Sequence, residues 1–201
     1  MKGGLMPHDF RGVLVLSEAA HGVDVRASLA RVLWNNGWGR ENFSTFETYL
    51  DSVPLIPEAP DDIRFNRLVL VDTGLSISIA TRILGVAYDG GDSVFDESSP
   101  CAAIYWLWVS EGNFTDGEIP FEVVQSDIES MRGLSVIEGL CFFVQYSRLL
   151  SNCSWNLTES HLAAFPAYIA CLLWIAGVPM LGVTEYCTGG FGRQTPLARR
   201  F

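Results

Sequence analysis

Lysine is almost missing from this chain: Lys2 is the sole example beside twelve arginines, and against 23 acidic residues the 13 cations leave a formal charge of -10. A chain this poor in positive charge lacks the basic face that neutralises phosphates, which argues against general affinity for DNA or RNA. The same balance suits a basic protein partner, or simply keeps copies of the chain apart in solution. Histidine is scarce as well, with only His8, His21 and His161 to serve as bases for a Ser or Cys nucleophile. No Gly-x-Ser-x-Gly elbow and no Cys-x-x-Cys pair occur. The five cysteines, Cys101, Cys141, Cys153, Cys171 and Cys187, are odd in number and scattered through mostly apolar sequence, as free buried thiols are. Drawn as a zinc set, Cys153, His161, Cys171 and Cys187 leave gaps of 7, 9 and 15 residues, which match none of the usual ligand spacings.

Charge of either sign is absent from the 25 residues Ser160 to Thr184. A membrane helix needs about 20 mostly apolar residues. Pro166 and Pro179 cut this stretch, Gly177 shortens it further, and the nearest flanking cations are Arg148 and Arg193, so a membrane span is not expected. Nor does the start read as a secretory signal, because His8, Asp9 and Arg11 precede only the brief apolar run Val13 to Leu16. The expected compartment is the cytoplasm. There the Asn-x-Ser/Thr sequons at Asn42, Asn113, Asn152 and Asn156 read as turn and cap chemistry. The charge-free stretch resolves into two short strands, Tyr168 to Ile175 and Val178 to Glu185, joined at Ala176-Gly177. A buried helix opening at Pro166 and ending at Gly177 is the alternative. In the hairpin reading, Tyr168 to Ile175 and Pro179 to Val183 belong among the most buried residues.

The remaining elements follow from periodicity and caps. Val23 to Asn35 has the spacing of an amphipathic helix ended by Asn36-Gly37. A second helix starts at Ser44, with Glu47 completing a capping box, and stops before Pro54. Residues 54-62 hold three prolines and three acids, the one place for a minor domain boundary. Arg67 to Asp72 reads as a buried strand, Leu75 to Leu84 as a helix closed by Gly85, and Ala102 to Val109 as a second strand. Phe121 to Val124 is a further pairing segment. Ser126 with Glu129 and Ser135 with Glu138 form capping boxes, the second opening a long helix over 136-150. The whole is a single α+β (mixed α/β) domain: a helical N-terminal part, a central sheet that includes a C-terminal hairpin, and the long helix packed on it.

Chemistry is sparse. Asp72-Thr73-Gly74 follows the apolar run Leu68 to Val71 and resembles the aspartic peptidase motif, in which the Asp sits on a loop after a strand and shares a proton with a second Asp. The resemblance covers three or four residues. It departs from the family at Leu75, where a small residue is usual, and in the lack of a second triplet, so a partner carboxylate would come from a homodimer. The plain alternative is an Asp or Thr N-cap for the following helix. Asp89, Asp92 and Asp96, with Glu97, gather carboxylates in one loop, yet their spacing departs from the calcium-loop pattern. Gly189-Gly190-Phe191-Gly192 lacks the Lys and Ser/Thr of a phosphate loop, and no cofactor is expected. Tyr105, Trp106, Trp108 and Trp174 supply the aromatic walls that a ligand pocket uses, or simply core. The function expected is a non-enzymatic binding or protein-interaction module, with a basic protein or a second copy as partner. A small hydrolase centred on Asp72 is the alternative.

Overall fold

The computed structural model describes residues 24-61, 65-88, 95-97, 103-110, 132-150, 154-185, 193-194 and 197-199. It is an α+β fold built around one deeply buried helix. Helix α1, Val25–Asn35, is capped by the Asp24 carboxylate, which accepts the Ala27 N–H. Helix α2, Phe46–Ser52, has Thr45 as its N-cap and Thr48 as the reciprocal partner, one residue later than the Ser44 box expected from sequence. Thr45 has the extended backbone of an N-cap, and its side chain accepts the Thr48 N–H. The Arg26 guanidinium donates to the Leu50 and Val53 carbonyls at the far end of α2, tying the two helices together.

Strand β1, Arg67–Asp72, leads into helix α3, Ile77–Leu84, which is capped by Ser76 and closed by Gly85 in the left-handed conformation. Short strands β2, Ala87–Tyr88, and β3, Phe95–Glu97, follow, then β4, Ile104–Ser110, and β5, Arg132–Gly133. Helix α4, Val136–Gln145, opens with the expected Ser135/Glu138 capping box. The long helix expected to Leu150 breaks at Tyr146, where the backbone leaves the helical region and a single turn, α5, Ser147–Leu150, restarts it. The break lies where two consecutive side chains, Gln145 and Tyr146, both bond to the backbone of β1. The charge-free stretch is strand: β6, Ser154–Leu162, β7, Phe165–Ile175, and β8, Val178–Glu185, with β9, Arg193–Gln194, and β10, Leu197–Arg199, after it. Among the described residues no helix is long and apolar enough to cross a membrane.

The expected central sheet is divided in two. One sheet has the order β1-β4-β10-β5; the other runs β2-β8-β7-β6-β3, with β9 also on β6. Every residue of α4 is buried, and the helix packs against β1, β6, α1 and α3. An amphipathic helix lying on one sheet would keep a polar face. Here Val136, Ile137, Leu140, Cys141, Phe142, Phe143 and Val144 point all round, as a helix enclosed between layers requires. Gly139 permits the approach to β6: a Cβ there would stand 2.6 Å from the Leu157 side chain.

Strand β1 lies at the edge of its sheet, where unpaired backbone groups would invite another strand. Side chains close that edge instead. Tyr146 Oη donates to the Leu68 carbonyl at 2.8 Å; Gln145 accepts from the Leu70 N–H at 3.0 Å and donates to the Leu70 carbonyl at 2.8 Å; Trp38 Nε1 donates to the Asp72 carbonyl at 3.0 Å. These are alternate residues, the set whose backbone groups face away from β4 in an antiparallel ladder. Gln145→Leu keeps the volume but orphans both groups of Leu70 in a buried site, with an expected cost of about 2 kcal/mol. A urea unfolding curve measures it directly.

The β7–β8 hairpin turns at Ala176 (φ 49°) and Gly177 (φ 83°), the two positive φ values of a type I′ turn. Its burial differs from expectation. Ile169 to Leu172 and Leu181 are buried, but Tyr168, Trp174, Ile175, Val178 and Val183 are exposed. For Trp174, Ile175 and Val178 the cause is length: β6 pairs with β7 no further along than Leu172, and β2 meets β8 only at Met180 and Leu181. Beyond those pairs no third strand is added to the hairpin among the described residues, though Trp174 still meets Phe143.

Candidate functional site

Asp72 ends β1, and Thr73 continues the chain by donating its N–H to the Ala103 carbonyl at 2.8 Å. The Asp72 carboxylate does not cap a helix, a role taken by Ser76; its Oδ1 accepts the Gly74 N–H at 2.8 Å in a tight local turn. The side chain is only 3% exposed. Around it stand Tyr49 from α2, Cys141 from α4, and Trp38 and Asn42 from the segment after α1. Tyr49 Oη faces the carboxylate without reaching a well-formed hydrogen bond, so Oη and Asp72 Oδ2 are both enclosed and unbonded among the described residues. Cys141 Sγ approaches the Asp72 carbonyl at 3.8 Å. Packing fixes Tyr49: its ring centroid lies 5.6 Å from that of Trp34 and 5.5 Å from that of Phe43, and Gly39 (φ 73°) sits so close that a Cβ would strike the ring.

Burial pushes the Asp72 carboxyl above its ordinary range, and the Gly74 bond and the facing Tyr49 hydroxyl only partly oppose this. Burial likewise raises the Tyr49 phenol and the Cys141 thiol, both further raised by the nearby Asp72 charge. No described residue presents a cation or a second carboxylate to Asp72. Burial thus favours the protonated form of all three groups, Asp72, Tyr49 and Cys141.

The four aromatic candidates are not gathered at one place. Tyr105 and Trp106 are successive residues of β4 and so point to opposite faces. Tyr105 Oη donates to Glu138 Oε1 at 2.5 Å, within a cluster where Arg132 forms a bidentate ion pair with the same carboxylate and the Ser135 N–H donates to Oε2 at 2.8 Å. Trp106 Nε1 donates to the Pro54 carbonyl at 2.9 Å, anchoring the Pro-rich connection on the sheet. Trp108 shares the Trp106 face, and its Nε1 has no partner among the described residues. Trp174 belongs to the other sheet, its ring 6.4 Å from Phe143. Asp89 and Asp92 fall outside the described residues, and Asp96 is described only through its backbone, paired in β3 with His161. Among the described residues no cluster of three or more His, Cys, Asp or Glu is placed to hold a metal ion. Cys141 and Cys171 are buried.

Sequence reasoning passed over Tyr49, Trp38 and Arg132, none of which belongs to a motif. The Ser135/Glu138 box was the available signal for the ion-pair cluster. It also passed over the hairpin's end as a surface, although the missing charge of residues 160-184 was visible. Comparison with known proteins finds no matching family model, no matching curated protein and no matching solved structure.

Proposed function

We propose that this protein is a non-enzymatic interaction module that docks a basic protein partner through the projecting end of the β7–β8 hairpin. The observation that carries the reading is apolar surface at the hairpin's end: the register pair Ile175 and Val178, on one face, is 49% and 47% exposed, and Trp174, on the opposite face and against Phe143, is 38% exposed. Monomers seldom leave contiguous apolar surface in water without a use for it. The segment holds no charge of its own, so contact there is hydrophobic. The net charge of -10 supplies the second element, long-range attraction for a basic partner. The test immobilises the full chain and an Ile175→Ser/Val178→Ser variant in native lysate over a series of salt concentrations. Proteins held by the wild type, lost by the variant and released as salt rises are expected. Capture that ignores both the variant and the salt, or no capture at any ionic strength, contradicts the reading.

A second reading makes Asp72 the centre of a small hydrolase, completed by a second copy. The raised carboxyl favours it, since a general acid must hold its proton near neutral pH. The 3% exposure weighs against it. Peptide cleavage by the wild type that is lost in Asp72→Asn supports this reading; cleavage that survives the substitution, or no cleavage by either protein, ends it.

A further inference from the structure

We propose that Asp72 and Tyr49 form a protonation-dependent latch: the protonated carboxyl holds α2 and residues 36-45 against the end of β1, and loss of that proton as pH rises loosens them. The geometry places one acid at the meeting point of four segments. Tyr49 comes from α2, Cys141 from α4, Trp38 and Asn42 from the chain between α1 and α2, and Gly74 from the turn after β1. None of these groups is cationic. With its proton, Asp72 keeps Oδ1 on the Gly74 N–H and has Oδ2 free to donate to the facing Tyr49 Oη, which satisfies both atoms now left unbonded. Without it, a full negative charge remains in an enclosed site whose facing donors, the Gly74 N–H, the Tyr49 O–H and the Asn42 amide, are all neutral. Such an ion costs more to bury than a few neutral hydrogen bonds return unless a cation pairs with it. Water entry is the relief, and the route opens by moving α2 and the segment before it, because β1 is fixed to β4 along its length.

The direction of the pH dependence follows from burial. The folded state binds the Asp72 proton more tightly than the unfolded chain does. Its contribution is therefore complete below the ordinary Asp value of about 3.9 and is lost as pH rises through the folded value. The opening equilibrium of the segment grows about tenfold for each unit by which the carboxyl is displaced.

Hydrogen exchange of the full chain, followed by mass spectrometry from about pH 4, the ordinary Asp value, to about pH 9 and corrected for intrinsic rates, reads this equilibrium. In the wild type, peptides from residues 36-53 are expected to lose protection as pH rises while those from α4 do not. In Asp72→Asn, which carries a neutral amide at every pH, the loss is expected to vanish. A flat wild-type profile, or the same rise in the variant, overturns the proposal. Should Asp72→Asn not fold, carbon NMR of the aspartate carboxyls in the wild type decides. One carboxyl titrating above the others, in step with the loss of protection, supports the latch; all of them titrating near the ordinary value overturns it.

Discussion

Glu138→Ala is expected to destabilise the fold by about 3–5 kcal/mol, the range for removing one partner of a buried ion pair. The carboxylate is 1% exposed and serves Arg132, Tyr105 and the Ser135 N–H together. Truncation leaves the guanidinium without its counter-charge and removes half of the capping box that opens α4. Burial alone would raise this carboxyl, but the Arg132 bond and charge, with help from Ser135 and Tyr105, outweigh it and hold the group below the ordinary Glu range. Its stabilising effect is therefore present above about pH 4.3 and lost as pH falls through the depressed folded value. Denaturant curves at neutral and acid pH should show the variant's deficit shrinking as pH drops. Adding Arg132→Met to Glu138→Ala should recover part of the loss, because the orphaned charge goes too; a strictly additive double variant would argue against direct pairing.

Phe142→Ala should be of similar size, about 3–5 kcal/mol. Phe142 is fully buried and stacks on Trp155 of β6 at a centroid distance of 4.5 Å and an interplanar angle of 12°. It joins the central helix to the second sheet, while Gln145 and Tyr146 join the same helix to the first. Little room for collapse exists beside it, because Gly139 already brings the helix onto Leu157. A midpoint shift worth less than about 1 kcal/mol would mean that the helix is not clamped between the sheets as described.

Local chemistry carried most of the fold in the sequence. The Ser135/Glu138 box, the Gly85 cap, the run Leu68 to Val71 and the Ala176-Gly177 turn each act over a few residues, and each lies where expected. Long-range partition was not legible. Nothing within Leu68 to Val71 or Tyr168 to Ile175 states that they join different sheets, since both are apolar strands and differ only in which neighbour pairs with them. Strand β6 was missed because its Asn, Thr, Glu, Ser and His alternate with Trp155 and Leu157, which hides a half-buried strand among polar residues. The site was less legible still. Asp72 drew notice as part of a triplet, but what makes it unusual is enclosure by Tyr49, Trp38 and Cys141, drawn from three distant parts of the chain.

On the proposed docking role, the hairpin's projecting end serves a partner and adds little to the folded chain by itself. The most direct measurement is the unfolding midpoint of Ile175→Ser/Val178→Ser against the wild type, with no partner present. Surface changes away from the core stay within about 0.5 kcal/mol each, and for a chain of this size about 1 kcal/mol moves the midpoint by 2–4 °C. The expected result is a midpoint lowered by no more than those few degrees, in a variant that no longer captures what the wild type holds. A drop well beyond that would show that residues 175 and 178 are part of the core and would contradict their role as a docking surface.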